Sequence, residues 1–202
     1  MFEKRLKKLL CLFVFLFVLG SGATDISAVT GSYFSYDKVP QEKSMWCWAA
    51  SAENAVQWEM KISRHQKDAV RKIKGSIFNK YPNVGGSLSD TVKAAEYISE
   101  NKEDYACTKL STTDAKPYSF LKREIQDYSN VIVLFGGYYD GNERTGGHAI
   151  TCHGYYEKNN VKYLWIYDPW DGGDERKLPY SQLVNGYGGR RYDGTVFNME
   201  KK

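Results

Sequence analysis

The chain has 202 residues, a length typical of a single domain or of one domain with two lobes. Hydrophobic residues make up 42% of it and aromatic residues 15%, which excludes wholesale disorder, and no internal repeat is present. The formal net charge is +4, and most of that excess lies in the first 23 residues. Without a basic surface elsewhere, we do not expect nucleic-acid binding.

The N-terminus predicts a secretory signal peptide. A cationic start precedes an apolar run, Leu9 to Leu19, and the small residues Ser21 and Ala23 offer a cleavage site, with a second one after Ala28. The run is shorter than the roughly 20 residues that a membrane-spanning helix needs. We therefore expect residues 1–23 to be removed. Residues 29–202 would then form one secreted, extracellular domain without membrane association.

Helical patterns fill the first half of the chain. Residues 29–45 are expected to be extended or loop, and residues 79–86 form a turn-rich loop. Four helices are predicted from start signals and apolar spacing: AASAENAVQWEM after Cys47, RHQKDAVRKIKGS capped by Ser63 and ending near Gly75, DTVKAAEYISE capped by Ser87 or Ser89, and PYSFLKREIQDYS from Pro117.

Strand patterns follow in the second half. The predicted strands are VIVLF (131–135), a hairpin of HAITCHGYY (148–156) and VKYLWIY (161–167) joined by EKNN, and YDGTVF (192–197). Turn clusters lie at 171–174 and 185–190. Helices followed by antiparallel strands indicate an α+β fold, in which an N-terminal helical lobe packs on a C-terminal sheet lobe.

Three cysteines remain beyond the predicted signal: Cys47, Cys107 and Cys152. An odd number in a secreted protein leaves at least one free thiol. If Cys107 pairs with Cys152, the free thiol is Cys47. If they do not pair, both are small core residues.

The stretch PQEKSMWCWAAS places Cys47 between Trp46 and Trp48, at the start of the first predicted helix. A cysteine nucleophile reacts as the thiolate, and a helix N-terminus supplies partial positive charge that favours it. Gln41, six residues earlier, could turn its amide towards the same point. The plain alternative is a core cysteine packed between two tryptophans.

His148 is the candidate base among three histidines. Gly146 and Gly147 precede it and leave room for a substrate, whereas His65 lies in a charged helix and reads as a surface residue. A hairpin turn centred on Lys158 would place His148 directly opposite Asp168. Opposite residues in an antiparallel pair lie about 5 Å apart, close enough for an imidazole–carboxylate hydrogen bond.

The same register pairs Ile150 with Ile166 and Cys152 with Leu164, and it turns His153 to the other face of the sheet. Neighbouring Cys152 and His153 therefore make a poor pair of metal ligands. The DGGDE loop at 171–175 has a calcium-like composition without the spacing of a calcium loop, and it reads as a solvated turn. We expect no metal and no cofactor.

The ordered motifs resemble the papain-like cysteine peptidases, in particular compact secreted bacterial ones of the staphopain kind. They are Gln41 six residues before Cys47-Trp48, then Gly147-His148, then Asp168-Pro169-Trp170. The run CWAASAENAVQW (47–58) is also similar to the nucleophile helix of streptococcal immunoglobulin-degrading cysteine proteases.

The resemblance implies a two-lobed papain-like fold with the active-site cleft between the lobes. It also implies roles for individual residues. Cys47 would be the nucleophile, His148 the general base and acid, and Asp168 the residue that orients His148. Gln41 would complete the oxyanion hole with the Cys47 backbone N–H, and Trp170 would shield the His148–Asp168 hydrogen bond. Trp48 and Gly147 would wall the cleft.

Four features depart from the papain pattern. Only 101 residues separate Cys47 from His148, fewer than the roughly 130 of the papain group, so we expect trimmed loops in the sheet lobe. The residue that would orient His148 is Asp168 rather than an asparagine. Ser44-Met45-Trp46 stands where Cys-Gly-Ser usually precedes the nucleophile. The stretch from the predicted cleavage site to Gln41 is also too short for a folded pro-domain.

The leading hypothesis is a secreted, monomeric cysteine endopeptidase acting on a protein or peptide. The nearest rival is a cell-wall amidase or peptidoglycan endopeptidase on a related fold, which the absence of a wall-binding repeat disfavours. A second rival is a secreted binding protein that uses the cleft without catalysis, which the presence of all four catalytic-type residues disfavours.

Overall fold

The computed structural model describes residues 29–58, 62, 64–99, 107–112, 114–128 and 131–201. The predicted signal segment, residues 1–23, lies outside these ranges. Among the described residues, no helix is both long enough and apolar enough to cross a membrane.

Five helices are present in the described part of the chain: α1 (Cys47–Gln57), α2 (Gln66–Lys74), α3 (Leu88–Ser99), α4 (Tyr118–Tyr128) and α5 (Tyr180–Gly186). The first four confirm the four predicted helices. α2 begins after His65, whose backbone N–H donates to the Asp68 carboxylate at 3.1 Å. The predicted cap, Ser63, lies outside the described residues.

Within the described ranges, seven strands form one antiparallel sheet: β1 (Thr30–Tyr33), β2 (Cys107–Thr112), β3 (Ile132–Asp140), β4 (Glu143–Lys158), β5 (Val161–Asp168), β6 (Asp174–Pro179) and β7 (Arg191–Lys201). Their order is β2-β7-β3-β4-β5-β6, and β1 pairs with residues 154–157 of β4. The predicted α+β organisation of a helical part against an antiparallel sheet is confirmed.

Helix α1 lies at the centre of the molecule. Every residue from Trp48 to Val56 is buried. Its small residues, among them Ala49, Ala52 and Ala55, allow α3 and β4 to approach it from different sides. The buried position fixes the N-terminus of α1, and Cys47 with it, against the sheet.

The hairpin register predicted for β4 and β5 is wrong. The turn is centred on Asn159-Asn160, both with positive φ, as in the type I′ turns that suit two-residue hairpins. Lys158 therefore pairs with Val161, and Cys152 pairs with Ile166 rather than with Leu164. These two turn residues centre the hairpin one and a half residues beyond the predicted position.

Several elements were missing from the prediction. β2, β6 and α5 were not predicted, whereas β1 lies in a segment that was expected to be extended or loop. β6 begins at Asp174, within the DGGDE stretch that was predicted to be a solvated turn. His148 does not begin a strand either, because β4 starts at Glu143.

Candidate active site

Cys47 is the first residue of α1 and is half-buried. The backbone N–H groups of Ala49 and Ala50 both donate to the Trp46 carbonyl, at 3.0 and 2.9 Å, and so close the first turn. The unpaired N–H groups at the start of a helix give this end partial positive charge. Cys47 therefore occupies a position in which a thiolate is stabilised.

The two tryptophans beside Cys47 anchor a neighbouring loop. Both indoles are buried, and their Nε1–H groups donate to backbone carbonyls, Trp46 to Pro82 at 2.9 Å and Trp48 to Val84 at 3.2 Å. A side chain at Gly86 would lie only 2.3 Å from the Trp48 ring. The buried Trp48 ring thus packs against the 82–86 loop and does not line an open cleft.

His148 joins Cys47 to Asp168. Its Nε2 lies 2.5 Å from Asp168 Oδ1, and the ring also interacts with the Cys47 thiol. Since Nε2 contacts the carboxylate, Nδ1 is the nitrogen available to the thiol. Burial disfavours the charged ring, but the interactions with Asp168 and Cys47 outweigh burial and raise the pKa of His148 to about 9.

A β-bulge makes the His148–Asp168 contact possible. In the outer half of the hairpin, Gly154 pairs with Trp165, and this register would put His148 and Asp168 on opposite faces of the sheet. The register shifts by one residue between Cys152 and Gly154, leaving His153 as the extra residue. Beyond the bulge the two side chains share a face, with His148 lying diagonally across from Asp168.

The Asp168 carboxylate, at the end of β5, is held by His148 and by the backbone of Trp170. Burial alone would raise its pKa, but the hydrogen bond with His148, the charge on that ring and the Trp170 backbone N–H, which donates to Oδ1 at 3.0 Å, lower it below the ordinary value. The Trp170 ring stands edge-on to the His148 ring, with centroids 6.0 Å apart, and is about half exposed. Trp170 therefore covers one side of the imidazole.

Two residues of the turn after α5 complete the surroundings of Asp168. Burial and the Asp168 carboxylate raise the pKa of the Tyr187 hydroxyl, and the Arg190 charge lowers the pKa of Asp168. Both residues also line a small pocket beside His148. Sequence reasoning missed them, because the Tyr-Gly-Gly-Arg stretch signals only a turn.

Gln41 lies next to the Asp168 turn. Its backbone N–H donates to the Pro169 carbonyl at 2.9 Å, and its side-chain Nε2 donates to the Lys43 carbonyl at 2.9 Å. The opposite amide orientation would bring two acceptors together, so Nε2 must face Lys43. An amide nitrogen carries two hydrogens, and this contact uses only one of them.

Two buried side chains clamp the backbone around Gln41. Asn54 Oδ1 accepts from the Val39 N–H at 2.8 Å, and its Nδ2 donates to the Val39 carbonyl at 2.8 Å. Gln66 bridges the next residues, donating to the Pro40 carbonyl at 2.8 Å and accepting from the Glu42 N–H at 3.0 Å. Neither residue was singled out from the sequence, because these contacts join segments far apart in the chain.

The Asn54 clamp is expected to contribute strongly to stability. Asn54→Ala leaves the Val39 N–H and carbonyl without these partners in a partly buried place, which should lower the free energy of unfolding by about 2 kcal/mol. Urea unfolding of Asn54→Ala and of Asn185→Ala, an exposed asparagine on α5, measures this. Equal stability of the two variants would contradict the clamp.

Gly147 does not leave open space for a substrate as predicted. The guanidinium of Arg144 lies over it, so that a Cβ on Gly147 would sit 2.4 Å from Arg144 Nη2. Arg144 is fixed there by the Asp193 carboxylate, which accepts from its Nε at 2.7 Å. A positive charge therefore lies close to the backbone next to His148.

The other histidines and cysteines with described side chains stay outside this site. His153 is buried, its Nδ1 lies 2.9 Å from the Phe34 carbonyl, and burial with the nearby Lys38 charge lowers its pKa to about 4. His65, mostly exposed, contacts the buried Glu53 carboxylate at 2.7 Å. Cys152 is a free, buried thiol whose pKa burial raises to about 12.

No three metal-ligating side chains lie together in the described part of the chain. The arrangement instead suits nucleophilic chemistry. A thiol at a helix N-terminus, a base in contact with it and a carboxylate behind the base are the parts that acyl transfer by a cysteine requires.

Comparison with known families agrees with this geometry. A family model described as the Peptidase_C39 like family matches residues 33–195. The chain belongs to that family. The matched range contains Gln41, Cys47, His148 and Asp168. No curated protein matches the chain.

Two solved structures show the same fold at low identity. One is digestive procathepsin L2 from the larval midgut of Tenebrio molitor, with a TM-score of 0.52, 12% identity and 81% of this chain covered. The other comes from work on the mite allergens Blo t 1 and Der p 1, with a TM-score of 0.50, 14% identity and 81% covered. The chain spans 64% and 67% of their lengths. This likeness establishes a papain-like fold for this Peptidase_C39-like chain, while the staphopain resemblance stays a prediction.

Proposed function

We propose that this protein is a secreted cysteine endopeptidase that hydrolyses peptide bonds through Cys47, His148 and Asp168. The observation that supports it best is the placement of His148, which hydrogen-bonds the Asp168 carboxylate and interacts with the cysteine at the N-terminus of α1. The family match and the papain-like fold support the same reaction class.

Acylation begins with the Cys47 thiolate and the protonated His148. The sulfur attacks the carbonyl carbon of the peptide bond, and the carbonyl oxygen becomes an oxyanion. His148 then gives the Nδ1 proton to the departing amine, the C–N bond breaks, and a thioester joins the substrate's acyl part to Cys47. Asp168 keeps the ring oriented and favours its charged form.

Deacylation uses the same residues, but His148 now accepts a proton and Cys47 is the leaving group. His148, now neutral, takes a proton from a water molecule, and the hydroxide attacks the thioester carbon. The C–S bond breaks, the carboxylic acid product leaves, and Cys47 returns as the thiolate beside a protonated His148. Both steps pass through an oxyanion, which needs hydrogen-bond donors.

Gln41 is proposed to supply one of those donors, together with the Cys47 backbone N–H. Gln41→Ala should lower kcat by about 10²- to 10³-fold, the usual effect of removing one oxyanion donor, with little change in KM. Steady-state kinetics of this variant and of Gln126→Ala, an exposed glutamine on α4, measure the effect.

A second readout separates this role from damage to Cys47. Alkylation by iodoacetamide passes through no oxyanion, so Gln41→Ala should react with it at the wild-type rate. Slower alkylation, or unchanged peptide hydrolysis, would contradict the proposed role of Gln41.

The substrate class is tested by incubating the purified protein with a peptide library and, in parallel, with isolated cell wall. Cleavage of library peptides that is lost in Cys47→Ala supports the endopeptidase. Release of wall fragments without peptide cleavage would replace it with the cell-wall amidase or endopeptidase. Tight binding of either material without cleavage would favour the non-catalytic binding protein.

Secretion and the monomeric state are also part of the proposal. Protein recovered from the culture medium should begin at Thr24 or Val29, the residues after the two predicted cleavage sites. Its elution in size-exclusion chromatography should correspond to one chain. An intact N-terminus, or recovery from the cells alone, would contradict secretion.

A further inference from the structure

The turn between α2 and the 82–86 loop carries two large apolar side chains in full contact with solvent. Ile77 is 87% exposed and Phe78 is 93% exposed, more than any other large hydrophobic residue that the structure describes. The central positions of turns are usually glycine, proline or short polar residues. Adjacent exposed apolar residues of this size indicate a contact surface.

The geometry of the turn directs both side chains outward. The Ser76 N–H donates to the Asn79 carbonyl at 2.8 Å, and the Asn79 N–H donates back to Ser76 Oγ at 3.0 Å. These two bonds join Ser76 to Asn79, the residues that flank Ile77 and Phe78. Gly75 packs the base of the turn so closely that a Cβ there would meet the Arg71 carbonyl oxygen at 2.3 Å. Ile77 and Phe78 thus form a fixed, protruding tip.

Positive charge surrounds this tip. Residues 69–80 contain four cationic and no acidic residues. Lys74 pairs with Asp90 at 2.8 Å, whereas Arg71, Lys72 and Lys80 are exposed. These three cations form no ion pair with any residue that the structure describes. They remain available to a negatively charged partner.

We propose that the tip inserts into an anionic membrane surface, with Ile77 and Phe78 between the lipid headgroups and Arg71, Lys72 and Lys80 on their phosphates. Apolar side chains flanked by cations suit the bilayer interface. A protein partner is less well matched, because a stable protein interface buries about 800 Å² on each side and a two-residue protrusion offers far less. This surface departs from the sequence-based expectation that the mature protein has no membrane partner.

The tip is connected to the candidate active site through its own loop. Four residues beyond Phe78, the Pro82 carbonyl accepts the Trp46 indole N–H, and Trp46 adjoins Cys47. The turn and the N-terminus of α1 are therefore linked by a short stretch of chain and one hydrogen bond.

The test is co-sedimentation of the purified protein with vesicles of phosphatidylglycerol and phosphatidylcholine, compared with phosphatidylcholine alone. Wild type should bind the anionic vesicles, and the double substitution Ile77→Ser, Phe78→Ser should lower the partition constant at least about tenfold, because two buried apolar groups are lost. Val184→Ser, which removes an exposed apolar residue on α5, should have no effect. All variants share the same N-terminal residues, so any contribution from them cancels.

Lys72→Gln and Lys80→Gln should each weaken anionic-vesicle binding by roughly fivefold, and added salt should weaken it further. Hydrolysis of a short soluble peptide should stay unchanged in all these variants, so failure of this proposal is distinguishable from failure of the proposed peptidase. Equal sedimentation of wild type and the double variant would overturn the proposal. The proposal would also be overturned if wild type bound no vesicles but formed a concentration-dependent dimer that the double substitution alone abolishes.

Discussion

Cys47→Ala is expected to lower the rate of peptide hydrolysis by about 10⁴-fold or more, leaving only the weak catalysis that binding and oxyanion donors provide. The reason is chemical, because alanine removes the sulfur that forms the thioester, and no other described thiol can replace it. Cys152 is wholly buried, and burial raises its pKa to about 12, so it stays protonated and inaccessible. Initial rates on a fluorogenic peptide measure the loss.

Cys152→Ala is the matched control for this substitution. It removes a cysteine that lies outside the candidate active site, so the kcat of this variant should stay close to that of wild type. Because Cys47 is half-buried at a helix end, the Cys47→Ala protein should fold, and its circular dichroism spectrum should match wild type. Activity retained in Cys47→Ala would end the proposed mechanism.

His148→Ala should cause a loss of similar size, about 10⁴- to 10⁶-fold, because residues that act as one catalytic unit fail together.

The pH dependence of the wild-type enzyme gives a finer test of His148. The charged imidazole protonates the leaving amine, and the pKa of His148 is about 9, raised from 6.5 by Asp168 and Cys47. Activity should therefore fall as the pH rises through about 9, where the ring loses this proton. The raised pKa also favours the folded state below pH 6.5, a contribution lost as the pH approaches 9.

Asp168→Asn tests the cause of the raised pKa. The amide oxygen can still accept the His148 Nε2 hydrogen bond, but the negative charge is gone, so the alkaline limit of kcat/KM should move to lower pH. Asp168→Ala should lower kcat further, because it removes the orienting contact as well. An alkaline limit that stays in place in Asp168→Asn would show that the carboxylate does not set the His148 pKa.

Local patterns in the sequence were enough to predict the parts of the fold that depend on neighbouring residues. The start of α1 at Cys47 follows from small residues and apolar spacing, and the helices and long strands follow from their periodicity. β6 and α5 were missed because they are short and rich in polar residues, and tertiary contacts rather than propensity stabilise them.

The His148–Asp168 contact was predicted through a register that is wrong. The prediction assumed a regular ladder around Lys158, whereas the hairpin turns at Asn159-Asn160 and carries a bulge at His153. Each change alone would move His148 away from the face of Asp168, and together they bring it back. A bulge of this kind depends on packing between strands, which a single sequence does not reveal.

The support around the site was also beyond the sequence. Asn54 and Gln66 fix the backbone beside Gln41 through hydrogen bonds that cross 15 and more residues of chain. Tyr187 reaches Asp168 from a turn that follows an unpredicted helix. The exposure of Ile77 and Phe78 likewise depends on where the chain folds back, since apolar residues in a loop are equally consistent with burial.

The most direct test of the proposed cysteine chemistry is mass spectrometry of the protein after exposure to an epoxysuccinyl peptide mimetic at pH 7. The reagent needs a thiolate and a neighbouring acid, so wild type should gain one adduct, located on Cys47 by peptide mapping, and His148→Ala should gain it far more slowly. A wild-type protein that stays unmodified at Cys47, or that reacts at the same rate as His148→Ala, would contradict the Cys47–His148 pair as the centre of the function.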